Sequence, residues 1–179
     1  MSRLRIVGGE WKRRLIAFHA APGLRPTPDA VRETLFTWLG QDLTGLVCLD
    51  LFAGSGALGF EAASRGAAAV TLVERDPRTF AVLRDNAAVL NTPRLEPIRA
   101  DALKFLARPP RRYDVLFLDP PYRQDWIARI APRLEAVLAP EARIYAEAEA
   151  PIARIGPWEA VRSGKSGQVY YHLLERAQA

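Results

Sequence analysis

Residues 47–66 read VCLDLFAGSGALGFEAASRG. Val47 to Asp50 is an apolar run closed by an acid, Gly54-Ser55-Gly56-Ala57-Leu58-Gly59 follows, and the remainder reads as a helix ended by Gly66. The order predicts strand, glycine turn, helix. Gly54 and Gly56 permit a tight turn in which the backbone approaches a ligand closely, and Gly59 lets the helix pack directly on the strand. A nucleotide-like cofactor is the expected occupant. A lone pattern of this kind often serves tight packing only, so the rest of the chain has to decide.

Two further stretches do so. Glu74 lies twenty positions after Gly54, at the end of a second apolar run, Val70 to Val73. An acid there accepts hydrogen bonds from both hydroxyls of a ribose. Asp119-Pro120-Pro121-Tyr122 closes a later apolar run, Val115 to Leu118. The three together lead away from nicotinamide dehydrogenases and toward S-adenosylmethionine chemistry.

The surrounding chain extends the pattern. Asp76-Pro77 starts a helix with Phe80, Leu83, Ala87 and Leu90 on one face. Leu95 to Ile98 is a third strand, and Asp101 opens a short helix carrying Leu103, Phe105 and Leu106. Asp101 there either caps the helix or faces the adenine end of a pocket, and one residue can do both. A fourth strand runs from Asp114 to Asp119, a helix from Gln124 to Leu138, and a fifth strand from Ala142 to Glu147. Alternating strands and helices imply a mostly parallel sheet covered on both faces. The tail departs from this: Trp158 to Arg162, a turn at residues 163–167 and Gln168 to Leu174 predict an antiparallel hairpin at the sheet's edge. The fold class expected is α/β and Rossmann-like.

The N-terminal part differs in character. Residues 3–19 predict a small β-hairpin appendage around Gly8-Gly9, bearing Arg3, Arg5, Lys12, Arg13, Arg14 and Trp11. Residues 1–22 are expected as this basic appendage and residues 23–179 as the main domain. Over residues 1–26 six cations, Arg25 among them, stand against Glu10 alone. Such an arm suits a polyanion, with Trp11 stacking a base; the alternatives are a solvated terminus and a Trp11 packed on the body. Thr27 is placed to cap a helix whose first residue is Pro28 and whose apolar face is Val31, Leu35, Trp38 and Leu39. Arg32 falls on that helix's solvated side.

Composition excludes several classes. At 179 residues with one cysteine, the chain is expected as a single α/β domain without a disulfide framework, in a reducing cytoplasm. Cys48 reads as a buried small apolar residue. Two histidines and one cysteine offer no metal constellation. No apolar stretch is long enough for a membrane span, and a monomer is the default.

With these motifs placed, the sequence resembles the RsmD family of class I S-adenosylmethionine-dependent methyltransferases. The likeness rests on Arg5-Ile6-Val7-Gly8-Gly9-Glu10-Trp11, Gly23-Leu24-Arg25-Pro26-Thr27-Pro28, Arg32-Glu33-Thr34-Leu35-Phe36, Asp50-Leu51-Phe52-Ala53-Gly54-Ser55-Gly56 and Asp119-Pro120-Pro121-Tyr122. The resemblance implies methylation of the exocyclic N2 of a guanine in 16S ribosomal RNA, on the small subunit or an assembly intermediate. It implies Asp119, Pro120, Pro121 and Tyr122 as the catalytic motif. Asp50, Phe52, Ala53, Gly54, Ser55, Gly56, Gly59, Glu74, Arg75, Asp101, Ala102 and Thr27 would bind the cofactor, with the glycine turn cradling the methionine part, Asp50 on its amino group, Glu74 on the ribose and Asp101 on the adenine. Adenine-N6 methylation of DNA and an inactive RNA-binding scaffold are the competing readings.

Overall fold

The structure is a computed structural model and describes residues 1–22 and 24–179. Gly23, quoted above, lies outside the described residues. Two strands at the N-terminus, β1 (Ser2–Arg5) and β2 (Leu15–Phe18), pair antiparallel as a sheet of their own. Among the described residues the main sheet has eight strands. Five come from the alternating region: β3 (Val47–Asp50), β4 (Ala69–Glu74), β5 (Leu95–Arg99), β6 (Tyr113–Leu118) and β7 (Leu138–Ala148). The last three are β8 (Arg154–Ile155), β9 (Trp158–Ser166) and β10 (Val169–Arg176). Their order is β5-β4-β3-β6-β7-β10-β9-β8, parallel from β5 to β7 and antiparallel beyond. The order reverses at β3, so the crevice for a ligand opens beside the carboxyl end of that strand.

Among the described residues three helices cover each face. On one side α1 (Asp29–Leu39), α2 (Ala57–Ser64) and α3 (Pro77–Leu90) bury Leu35, Phe36, Phe60, Leu83 and Ala87 against β3, β4 and β6. On the other, α4 (Ala102–Ala107), α5 (Trp126–Ile130) and α6 (Leu134–Val137) bury Phe105, Trp126, Ile130, Leu134 and Val137. The single helix expected over residues 124–138 is broken. Pro132 lacks the N–H a continuous helix needs, a 3₁₀ turn spans Ala131–Arg133, and Leu138 already belongs to β7. The C-terminal turn is also tighter than expected: β9 runs on to Ser166, and Gly167-Gln168 alone close the hairpin, with φ of +59° at Gly167.

All eight residues of α2 are buried. A helix apolar on one face only would not be, and the reason is the N-terminal hairpin, whose Leu4, Ile6, Trp11 and Ile16 join the same core as the helices. The hairpin sheet and the main sheet share one continuous core. Gly9 (φ +76°) passes so near α2 that a Cβ there would stand 2.0 Å from the Ser64 carbonyl oxygen. Ser64 completes the joint by accepting from Trp11 N at 2.9 Å and donating to the Gly8 carbonyl at 2.6 Å.

Burying α2 also buries Glu61, which then has to be paired. Its Oε1 accepts from Gly8 N at 2.8 Å and from the Arg65 guanidinium at 3.1 Å, and its Oε2 from Val7 N and Arg32, each at 3.1 Å. Arg32, expected in solvent, is 1% exposed. It also donates to the carbonyls of Thr27 (3.0 Å) and Arg5 (2.7 Å), tying the N-terminal hairpin to the chain entering α1.

Candidate active site

The carboxyl ends of four strands each carry an acid: Asp50 on β3, Glu74 on β4, Asp119 just past β6 and Glu147 on β7. Parallel register sets three of them on one face. Asp50 stands beside Phe117 and Phe117 beside Tyr145, and side chains alternate, so Asp119 and Glu147 return to that face two residues further on.

Around the glycine turn, Asp50 Oδ2 accepts from Gly59 N at 3.0 Å, fixing the start of α2 against β3. A Cβ on Gly59 would meet Leu72 Cδ2 at 2.5 Å and that Asp50 oxygen at 3.1 Å, which is the close helix-strand contact expected of it. Gly54 and Gly56 take φ of +54° and +85°. Asp50 is 2% exposed, and burial pushes its carboxyl up to about 7 despite the Gly59 bond, with Glu74 and Glu147 adding like charge. Glu74 uses one oxygen on Gly54 N (3.0 Å) and the other on Asp76 N (2.9 Å). Each oxygen keeps a second lone-pair direction for a diol. This two-amide anchorage of a partly exposed carboxylate fits the ribose of a nucleoside cofactor.

Other expected positions fall along the same edge. Asp101 caps α4, its Oδ1 accepting from Leu103 N at 2.9 Å and Lys104 N at 3.2 Å, and it stays partly exposed. Ala102 is buried behind it and Arg75 is exposed. Ala53 is fixed by its N–H to the Val73 carbonyl at 2.8 Å, and Ser55 Oγ accepts from Ala57 N at 3.3 Å. The Phe52 ring meets Trp126 edge-on at 5.1 Å. At the expected catalytic motif Pro120 is buried, Pro121 is exposed and Tyr122 is 41% exposed. Asp119 is partly exposed just past the end of β6. Desolvation, then the charges of Glu147 and Asp50, hold its carboxyl well above the usual range.

Two expectations are corrected here. Thr27 does not cap α1: the N-cap is Pro28, and Thr27 Oγ1 instead donates to Glu147 Oε1 at 2.8 Å. The same Glu147 oxygen accepts from Tyr145 OH at 2.8 Å, and this buried acid went unassigned in the sequence. The available signal was that every other parallel strand bearing a candidate ligand ended on an acid. Trp11 is 6% exposed, with Arg94 over its ring at 5.2 Å, so its indole packs on the body and offers no platform for a base. Arg3, Arg5, Lys12, Arg13, Arg14 and Arg25 are all exposed. Arg3 and Arg5 line, with Leu15, Phe18, Pro26 and Pro28, an open groove of about 450 Å³.

An open sheet reversing at a glycine turn, with an antiparallel strand inserted next to its last parallel one and an Asp-Pro-Pro-Tyr strand end, defines a class I methyltransferase. The family described as "Conserved hypothetical protein 95" matches residues 4–175, and the chain belongs to that family. The chain is 41% identical over 180 residues to "Ribosomal RNA small subunit methyltransferase D" of Escherichia coli, covering 97% of this chain and 90% of the relative. The solved structure of yhhF from Escherichia coli, 41% identical, superposes with a TM-score of 0.87 over 98% of both chains. An RNA methyltransferase of Salinibacter ruber, solved with S-adenosyl-L-homocysteine, shares the fold alone: TM-score 0.69 at 19% identity, over 87% of this chain and 95% of that one.

Proposed function

We infer that this protein transfers a methyl group from S-adenosyl-L-methionine to the exocyclic N2 of a guanine in small-subunit ribosomal RNA. The observation that carries the reading is the placement of Asp119 and the exposed Tyr122 at the end of β6, the strand next to β3 and its glycine turn, in a chain 41% identical to a ribosomal RNA methyltransferase. Bound S-adenosylmethionine supplies an electrophilic methyl on a sulfonium. The protein's own residues do the rest by alignment. Glu74 would hold the ribose diol, and the Gly54–Gly56 turn the methionine portion. Guanine N2 is a poor nucleophile because its lone pair is delocalised into the ring. The Asp119 carboxylate and the Pro120 carbonyl, accepting its N–H groups, favour a pyramidal nitrogen and the positive charge it develops. Pro120 and Pro121 have no N–H to compete for those acceptors. Tyr122 offers a face for a base taken out of its stack, a contact worth about 1–3 kcal/mol. The exposed arginines of the N-terminal hairpin and Arg25 face the RNA backbone, and the chain acts as a monomer without metal.

The test is transfer from labelled S-adenosylmethionine to naked small-subunit ribosomal RNA and to subunit particles, both from cells lacking the enzyme, followed by nucleoside analysis. N2-methylguanosine at one site is expected; label in adenine, or in DNA only, overturns the substrate. Asp119→Ala is expected to lower kcat by at least about 100-fold while S-adenosylhomocysteine binding stays within about threefold, as a group acting only on the acceptor requires.

A further inference from the structure

Glu147 is one of the few buried acids in the molecule, and the reading above gives it no task. Both hydroxyls that reach it, Thr27 Oγ1 and Tyr145 OH, converge on the same oxygen, Oε1, each at 2.8 Å. Two donors on one oxygen hold the plane of the carboxyl. The β6–β7 register ends at Leu118↔Ala146, and Asp119 and Glu147 are the next residue on each side, which sets the two carboxyls close together at the strand ends. Thr27 reaches the site from the segment entering α1, whose carbonyl Arg32 holds at 3.0 Å from the buried Glu61 network.

We propose that Glu147 acts through Asp119 as a positioning residue in methyl transfer: pinned by Thr27 and Tyr145, its charge lies against the Asp119 carboxyl and makes that acid a better acceptor of the proton the nitrogen must lose. This rests on the amino-methyltransferase reading. As the nitrogen-carbon bond forms and the carbon-sulfur bond breaks, the bonding pair goes to sulfur and the positive charge to nitrogen. One N–H proton then passes to an Asp119 oxygen and from there to water at the exposed edge of the cleft. The groups facing Asp119 are Asp50 from β3, Glu147 and Tyr145 from β7, and Tyr122 from its own loop, with Arg25 and Glu149 acting on Tyr122 from outside. Burial and the Glu147 charge raise the Tyr145 phenol as well, so that hydroxyl stays a donor to Glu147 near neutrality.

The experiment is the pH dependence of kcat/KM for transfer to naked small-subunit ribosomal RNA, in wild type, Glu147→Gln and Glu147→Asp. Wild type is expected to lose activity on the acid side above the ordinary carboxylate range. In Glu147→Gln that limb moves to lower pH, because the Glu147 charge beside Asp119 is gone, and the plateau kcat falls about tenfold, with KM for RNA and S-adenosylhomocysteine affinity within about twofold. Glu147→Asp keeps the charge and returns the limb most of the way. A lower kcat with an unmoved limb makes Glu147 merely structural and overturns the proposal. Carboxyl carbon NMR of Asp119, assigned by its loss in Asp119→Asn, reads the same coupling without RNA. An Asp119 that titrates in the ordinary range in wild type overturns the proposal even if Glu147→Gln fails to fold. If no RNA is methylated while Asp119 titrates high and falls in Glu147→Gln, the pairing stands and the substrate reading fails.

Discussion

Replacing Glu61 with Ala removes the one carboxylate that faces two buried guanidiniums and two backbone amides at once. Arg65 loses its ion pair, Arg32 keeps only the half-exposed Asp29, and Val7 N and Gly8 N lose their acceptor. Breaking a buried pair by removing one partner costs about 3–5 kcal/mol, and each orphaned amide adds about 1 kcal/mol or more unless water reaches it. Access for water is limited, since Arg32 and Arg65 are 1% and 7% exposed. The expected loss is therefore about 5–7 kcal/mol, a large share of the roughly 5–15 kcal/mol of a typical domain. Urea denaturation followed by far-ultraviolet circular dichroism measures it, with an unchanged slope showing that the same surface unfolds. Hydrogen exchange at Val7 and Gly8 is expected to accelerate more than exchange in β6, because the damage is local to the joint between hairpin and α2. Arg32→Met combined with Glu61→Leu is expected to cost less than the two single changes added, by about 1–3 kcal/mol. A loss under about 1 kcal/mol in Glu61→Ala would show that the network is solvated and that the hairpin is held by its apolar contacts alone.

Asp50 is expected to make stability fall as pH rises. Its folded carboxyl is raised to about 7 from an ordinary value near 3.8, so its contribution is fully present below the unfolded value and is lost as pH climbs through the folded one. The urea midpoint of wild type should drop relative to Asp50→Asn between those limits, and parallel curves would refute the burial argument. Gly59→Val places a branched side chain against Leu72 and the Asp50 carboxyl, and a loss of about 1–3 kcal/mol with weaker S-adenosylhomocysteine binding is expected by thermal melting and calorimetry. Changing Arg3, Arg13 and Arg14 together to Ala should reduce the slope of log RNA affinity against log salt by about 2 if all three sit on phosphates. Trp11→Ala should leave that slope unchanged and cost about 3–5 kcal/mol in folding, since the ring is buried.

Much of the scaffold was legible in local sequence. Apolar runs ending in acids located β3, β4 and β6, the glycines at residues 54, 56 and 59 located the turn, and Asp76-Pro77 opened α3 where expected, with Asp76 accepting from Thr79 N at 2.8 Å. These signals are local because turn strain, capping and hydrophobic period act within a few residues. The Trp158–Leu174 hairpin was legible as a pair of strands, but nothing local says that β10 docks on β7 and leaves β9 outside.

What only the tertiary structure decided concerns polar residues whose partners are far away in the chain. Arg32 looked solvated on the helix it belongs to, and is buried because Glu61, the Arg5 carbonyl and the Thr27 carbonyl meet there. Thr27 sat in the right place for a cap and spends its hydroxyl on Glu147, 120 residues away. Trp11 could stack a base or pack, and α2 turned it inward. The sequence by itself determined where strands end and turns form, because those depend on neighbours in the chain. Which polar side chain pairs with which depends on desolvation, and a charge is forced to find its partner only after the fold has taken water away from it.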